Sequence, residues 1–152
     1  MARHECGSCT LCCKIQAVPQ IKKPAGKWCP DCIPGKGCGI FKSPTRPQIC
    51  KDFYCMWVNS PSLPDKYRPD KIKFYVSGTE ESEFLHVCVD ANYPMAWKEG
   101  AGKELIDHIR NTGRHMLVFV GNQEYFIQGK NKPIPKSIMN YMQVRGHQAL
   151  LD

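Results

Sequence analysis

Cys6-Gly7-Ser8-Cys9-Thr10-Leu11-Cys12-Cys13 is the densest cysteine run in a chain of 152 residues that holds ten cysteines. Cys29, Cys32, Cys38, Cys50 and Cys55 follow it, so nine of the ten fall in the first 55 positions and only Cys88 stands apart. So many thiols so close together serve disulfides, metal or redox chemistry. The chain opens Met1-Ala2-Arg3-His4-Glu5-Cys6, without the apolar stretch of a secretory leader. No apolar run approaches the ~20 residues of a membrane helix. The sequence therefore reads as cytoplasmic and not membrane-bound, a compartment where thiols stay reduced and clustered cysteines are ligands or catalysts. Two adjacent cysteines and overlapping Cys-x2-Cys pairs also make a poor disulfide framework.

Residues 1–57 contain few aliphatic residues, six prolines and five glycines. Such a segment buries too little apolar surface to offset its chain entropy, so it needs staples, and metal–thiolate bonds supply them. It also carries nine Lys/Arg against three Asp/Glu, a balance of +6 out of the total +7. Two zinc ions held by eight thiolates would reduce that segment to +2. The basic residues thus read as compensation for thiolate charge, and nucleic acid is not the expected partner.

A Cys-x2-Cys pair turns both sulfurs toward one ion. Three such pairs are present: Cys6/Cys9, Cys9/Cys12 and Cys29/Cys32. The spacing Cys9-x2-Cys12-x16-Cys29-x2-Cys32 suits a zinc ribbon. Cys6-x2-Cys9-x2-Cys12 equally suits an iron–sulfur cluster, although the Cys-x3-Cys-Pro ending of bacterial ferredoxins is missing. Cys12 and Cys13 fit neither template, because neighbouring residues rarely aim at one ion. They point to two metals side by side or to a bridging sulfur.

Taken with Cys38-Gly39-Ile40-Phe41 and Arg46-Pro47-Gln48-Ile49-Cys50, the run resembles the YkgJ-type cysteine-cluster family, described as a zinc- or iron-chelating domain. The family pattern is Cys-x2-Cys-x2-Cys-Cys, then Cys-x-Ile-Tyr, then Arg-Pro-x2-Cys. Phe41 here replaces the tyrosine. The resemblance spans residues 6–57 and implies Cys6, Cys9, Cys12, Cys13, Cys38 and Cys50 as ligands. Spacing adds Cys29, Cys32 and Cys55. Arg46 is either a donor to sulfur or a nearby carbonyl, or an ordinary surface arginine before Pro47.

Three regions follow: a cysteine-cluster domain (1–57), a proline-rich connector (58–70) and a small α+β module (71–152). One helical turn is expected around Cys9–Ile15. In the module, alternation predicts strands at Lys71–Ser77 and Glu83–Asp90 about the turn Gly78–Ser82. A helix is predicted over 102–112, ending before Gly113. Strands at His115–Val120 and Gln123–Gln128 follow, about Gly121-Asn122. A last helix runs from Pro135 to about Val144 with Ile138, Tyr141 and Met142 inward. The order ββαββα predicts a small antiparallel sheet with helices on one face.

Other features carry less. His4 could replace a thiol as ligand but reads as a solvated terminal residue. His86 and Cys88 share a strand face without an acid to orient the histidine. Gly100-Ala101-Gly102-Lys103 lacks the first glycine of a phosphate loop, and Glu104 stands where a magnesium-binding hydroxyl belongs. Trp28, Trp57 and Phe53 are expected to cover a metal core. No nucleophile–base pair or paired carboxylates are present, so catalysis would reside at a metal with an open position, with His4 or Asp52 as the first residues to consider. The sequence therefore predicts a zinc-binding protein of structural or interaction role, its metal enclosed by sulfur. An iron–sulfur protein in electron transfer or redox catalysis is the alternative, and metal storage or delivery a further one. Metal ions are the expected partners, with room for a protein partner.

Overall fold

The computed structural model describes residues 3–145 and 148–150, with side chains described through Tyr141. The C-terminal half is a five-stranded sheet in the order β3-β4-β5-β6-β7: β3 (Phe74–Ser77), β4 (Phe84–Val89), β5 (His115–Val120), β6 (Gln123–Ile127) and β7 (Gln148–Leu150). Alternation does its expected work in β4, where Leu85, Val87 and Val89 are buried while Phe84, His86 and Cys88 lie on the other face. The fold is mixed α+β, as the sequence predicts. Two finer expectations are corrected.

First, the sheet is mixed. β3 and β4 form the expected antiparallel hairpin, and β5 and β6 another. However, β4 and β5 are parallel, from Phe84 opposite His115 to Val89 opposite Val120. The twelve-residue helix α5 (Gly100–Asn111) lies between them and carries the chain back to the starting end, as a parallel pair requires. Helix α6 (Lys136–Arg145) does the same between β6 and the parallel β7, a strand the sequence reading did not place. Second, the helices occupy both faces. Leu105, Ile106 and Ile109 of α5 pack on Phe74, Val76, Val87, Met116 and Val118. Ile138 of α6 packs on Leu117 and Phe126, which alternate to the opposite face. Tyr141 is against the same cluster; Met142 lies outside the described side chains.

Gly102 has a packing role, distinct from any phosphate loop. A Cβ there would stand 2.2 Å from the Ala96 carbonyl oxygen and 2.9 Å from Phe74 Cε1, so only glycine lets α5 approach that closely. The expected strand at Lys71 starts later, at Phe74. Pro69 fixes the first helical position of α4 (Pro69–Ile72), and Lys73 ends it in the left-handed region at φ 63°.

The first 59 residues form short elements: α1 (Leu11–Ile15), where one helical turn is expected, the hairpin β1 (Cys32–Ile33) and β2 (Gly37–Cys38), α2 (Gln48–Asp52) and α3 (Met56–Asn59). They pack against the sheet at two points. Cys55, Trp57 and Val58 bury against Tyr75 of β3. Lys14 of α1 donates to both carboxylate oxygens of Asp90, just past β4, at 2.9 and 2.8 Å. Among the described residues no helix is long and apolar enough to cross a membrane.

Candidate metal centre

Two of the Cys-x2-Cys pairs fold into tight turns. The Cys9 N–H donates to the Cys6 carbonyl at 2.8 Å and the Cys32 N–H to the Cys29 carbonyl at 3.1 Å. Gly7, at φ 53°, supplies the left-handed residue of the first turn. The hairpin places Cys32 directly opposite Cys38. Its Gly35 N–H donates to Thr10 Oγ1 at 3.1 Å, tying it to the start of α1. The Cys29 N–H donates to the Cys13 carbonyl at 3.0 Å, a second tie. Helix α2 brings in Cys50, and Cys55 precedes α3.

These elements surround one cavity of about 100 Å³. Cys6, Cys9, Cys12, Cys13, Cys29, Cys38, Cys50 and Cys55 all line it. The ninth, Cys32, is outside the lining but donates its S–H to the Cys13 sulfur. All ten cysteines carry free thiols. Trp57 and Phe53 line the cavity as expected of covering aromatics, whereas Trp28 does not and is 43% exposed. Among the described residues no three His, Cys, Asp or Glu side chains are arranged to hold a single ion. The sulfurs ring a space instead of converging on a point.

Burial pushes the thiols of Cys6, Cys50 and Cys55 up, and that of Cys9 to about 11. Cys12 is pushed up first by the hydrogen bond it donates to Cys13, then by burial. Cys13 moves the other way, held low by hydrogen bonds from Cys12 and Cys32 with Lys23 and Arg46 assisting against burial. The raised thiols stay protonated in neutral water, and a bound cation reverses that preference.

Two cations stand beside the thiols. Lys23 is only 4% exposed. Lys22 turns the chain in the left-handed region at φ 54°, so Lys23 pairs with Val18 and its ammonium reaches inward. Its Nζ donates to the carbonyls of Lys14 at 3.0 Å, Pro24 at 3.1 Å and Gln16, closing the end of α1. Cys29, Cys13 and Cys12 lie within its field. Arg46 lines the cavity, donates from Nη2 to the Cys50 carbonyl at 2.7 Å and stacks 4.2 Å over Phe41. Its Nε is buried and, among the described residues, is the side-chain nitrogen or oxygen left without a partner. An unmet cationic donor at this position costs about 1–3 kcal/mol unless something in the cavity accepts its hydrogen. The donor set and this orphan together fit a thiolate-bound metal group, whose sulfurs are acceptors.

His4 lies outside the cavity lining and is half-buried, not free in solvent. Its ring stacks on Trp57 at 4.0 Å, its Nε2 lies 3.1 Å from the Leu63 carbonyl, and its backbone N–H donates to Val58. It pins the arm that carries Cys6 and Cys9. Asp52 is exposed and accepts from Gln48 Nε2 at 2.9 Å. His86 and Cys88 do not act as a pair. His86 packs between Phe84 and Phe119, and Cys88 bonds the Tyr75 hydroxyl. Tyr75 and Lys23 are the residues that sequence reasoning missed. No local pattern marks either: Tyr75 lines the cavity from the sheet, and Lys23 comes beside the thiols through a left-handed turn.

No protein-family model matches the chain, and no curated protein or solved structure does either.

Proposed function

We propose that the protein binds metal through the thiolates of its N-terminal cysteine cluster, and that the metal staples residues 1–57. The observation that carries this reading is the gathering of eight cysteines, from six separate short elements and turns, around one cavity. Disulfide bonding or simple burial would not bring eight free thiols to a common space. The buried Lys23 and the orphaned Arg46 Nε supply the positive field that ionised sulfurs need. The likeness of the Cys6–Cys13 run and of Arg46–Cys50 to the YkgJ-type cluster supports the same reading.

Zinc is the first candidate, in a structural or interaction role with sulfur-only ligation. The size of the space favours a second reading. A volume of about 100 Å³ is several times what one water-sized occupant needs, and it is lined by twice the four sulfurs of one zinc site. An iron–sulfur cluster, with acceptor sulfurs facing Arg46, would suit it, and the protein would then serve electron transfer or redox catalysis.

Purification without oxygen, followed by metal and acid-labile sulfide analysis, decides between them. Colourless protein with stoichiometric zinc supports the first reading. A brown protein with iron and sulfide supports the second. Protein that is folded, fully reduced and free of both metals, and that takes up neither when offered, refutes the proposal.

A further inference from the structure

We infer that Cys32 and Cys38 are a redox pair, which a low-molecular-weight disulfide converts into a bond across the hairpin, taking two sulfurs out of the cluster. The pairing stands on the backbone alone. Its effect on metal rests on the metal–thiolate reading above.

The two cysteines are direct partners in the β1–β2 ladder, Cys32 opposite Cys38 and Ile33 opposite Gly37. The flanking bond runs from the Gly39 N–H to the Asp31 carbonyl at 2.7 Å. Hydrogen bonds of an antiparallel ladder fall on alternate pairs, so Cys32 and Cys38 form a non-hydrogen-bonded pair. In such a pair the Cα atoms stand about 4.5 Å apart and both side chains leave the same face of the ribbon. A disulfide spans Cα separations of about 4.4–6.8 Å, so one closes here without moving the backbone. A Cβ at Gly39 would meet the Asp31 carbonyl oxygen at 3.0 Å, so glycine lets the strands come this close beside the pair. The hairpin is also held from outside. Its Gly35 N–H bonds Thr10 Oγ1, and the Cys29 N–H bonds the Cys13 carbonyl. Both thiols are free and half-buried, and Cys32 alone of the clustered cysteines lies outside the cavity lining. Its sulfur therefore turns to Cys38 by a change of rotamer, without emptying a place in the cavity wall. The Cys6–Cys9 and Cys29–Cys32 turns, by contrast, set their cysteines along one stretch of chain, with no ladder to hold them face to face.

Closure takes two exchanges. The thiolate of one cysteine attacks a sulfur of the small disulfide RSSR, forms a mixed disulfide and releases RS−, which takes up the proton that the cysteine gave. The second cysteine then attacks the protein sulfur of the mixed disulfide and releases the second RSH. Two protein thiols become one disulfide, RSSR becomes two RSH, and two electrons pass from the protein to the small molecule. Where the sulfurs hold a metal ion, the ion leaves in its original oxidation state and both RS− groups take their protons from water. The Cα spacing lies at the short end of the range for disulfides. The bond is therefore easily reduced, and the change is reversible.

The test uses the full-length chain, reduced and metal-free, in glutathione buffers of graded potential. Remaining thiols are alkylated and the protein is digested with trypsin, which leaves Cys29 and Cys32 in residues 28–36 and Cys38 in residues 37–42. The first disulfide to form should join these two peptides, and fragmentation should place it on Cys32. Cys29→Ser should leave that bond in place, whereas Cys32→Ser should abolish it. A first disulfide within residues 28–36, at Cys6–Cys9 or at any other pair overturns the inference. So does a chain that stops at mixed disulfides, or stays reduced when glutathione is mostly oxidised. Protein loaded with zinc should release the ion in step with the bond. A Cys32–Cys38 bond that forms while all the zinc stays bound overturns the effect on metal. A chain that forms the bond but takes up no metal refutes the metal–thiolate reading and leaves the pair standing.

Discussion

Replacing Lys14 by methionine removes the partner of a carboxylate that has almost no access to water. The side chains of Lys14 and Asp90 are 12% and 5% exposed, and the ammonium meets both carboxylate oxygens. After Lys14→Met, Asp90 keeps one hydrogen bond, from the Asn92 N–H at 3.0 Å. Leaving a buried charge unpaired costs about 3–5 kcal/mol, and the residual bond places this case near the lower end. A loss of about 3 kcal/mol lowers Tm by roughly 6–12 °C in a chain of this size. The double variant Lys14→Met/Asp90→Leu removes both charges and should recover most of the loss, because apolar packing replaces a buried pair at little cost. Urea unfolding of the four proteins gives the coupling energy directly, and it should exceed about 2 kcal/mol. Lys14 also neighbours Cys13, so Lys14→Met should weaken metal retention, while the double variant restores it. A loss below about 1 kcal/mol for Lys14→Met, the range of exposed pairs, would refute the reasoning. So would strict additivity in the cycle.

Gly102→Ala should destabilise the protein by about 1–2 kcal/mol, the clash with the Ala96 carbonyl outweighing the helix propensity gained; thermal unfolding reads it. A strong chelator should open residues 1–57 to protease while the sheet stays protected; unchanged protection of the first 57 residues would show that metal does not staple them. Cys12→Ser and Cys50→Ser should lower bound metal, whereas Cys88→Ser should not, since Cys88 lies outside the cavity lining and bonds Tyr75; equal losses in metal analysis would place Cys88 among the ligands. His115 is buried, accepts the Gly129 N–H at Nδ1 and donates from Nε2 toward the Pro133 carbonyl, so it is held neutral, with its proton affinity lowered chiefly by burial. The unfolded chain binds that proton more readily. The stability it contributes is therefore complete above pH ~6.5 and is lost as pH falls below that value. The difference between the unaltered protein and His115→Gln in unfolding free energy should shrink over that range, and a constant difference would contradict this.

The sheet was legible wherever one period governed a segment. Leu85, Val87 and Val89 alternate cleanly, and α5 shows its apolar stripe and its Gly113 stop. The pairing sense was not legible, because strand direction depends on how a helix of α5's length returns the chain, and alternation is blind to that. The second face of helix packing was also hidden: Leu117 sits in a run so apolar that both faces read as buried. At the candidate centre, the cysteine spacing pointed to the two turns now seen at Cys6–Cys9 and Cys29–Cys32. It was silent on Lys23, whose position depends on a left-handed Lys22, and on Tyr75, which arrives from β3. Tertiary neighbours leave no local periodicity to read.

Tyr75 closes the thiol cavity from the sheet side, and this sets an order of events during synthesis. All nine clustered cysteines emerge from the ribosome before the strand that completes their enclosure. That strand is held by β4, which is flanked in turn by β5, so the wall is firm only after about residue 120 has appeared. Until then the nascent thiols are gathered by short turns alone and are exposed to oxidants and to competing metals. The cavity therefore lacks one wall until the sheet has formed. A chain ending at Ser77 should accordingly hold metal more loosely than the whole protein and lose it faster to a chelator. Equal rates of loss would show that the cysteine segment seals itself.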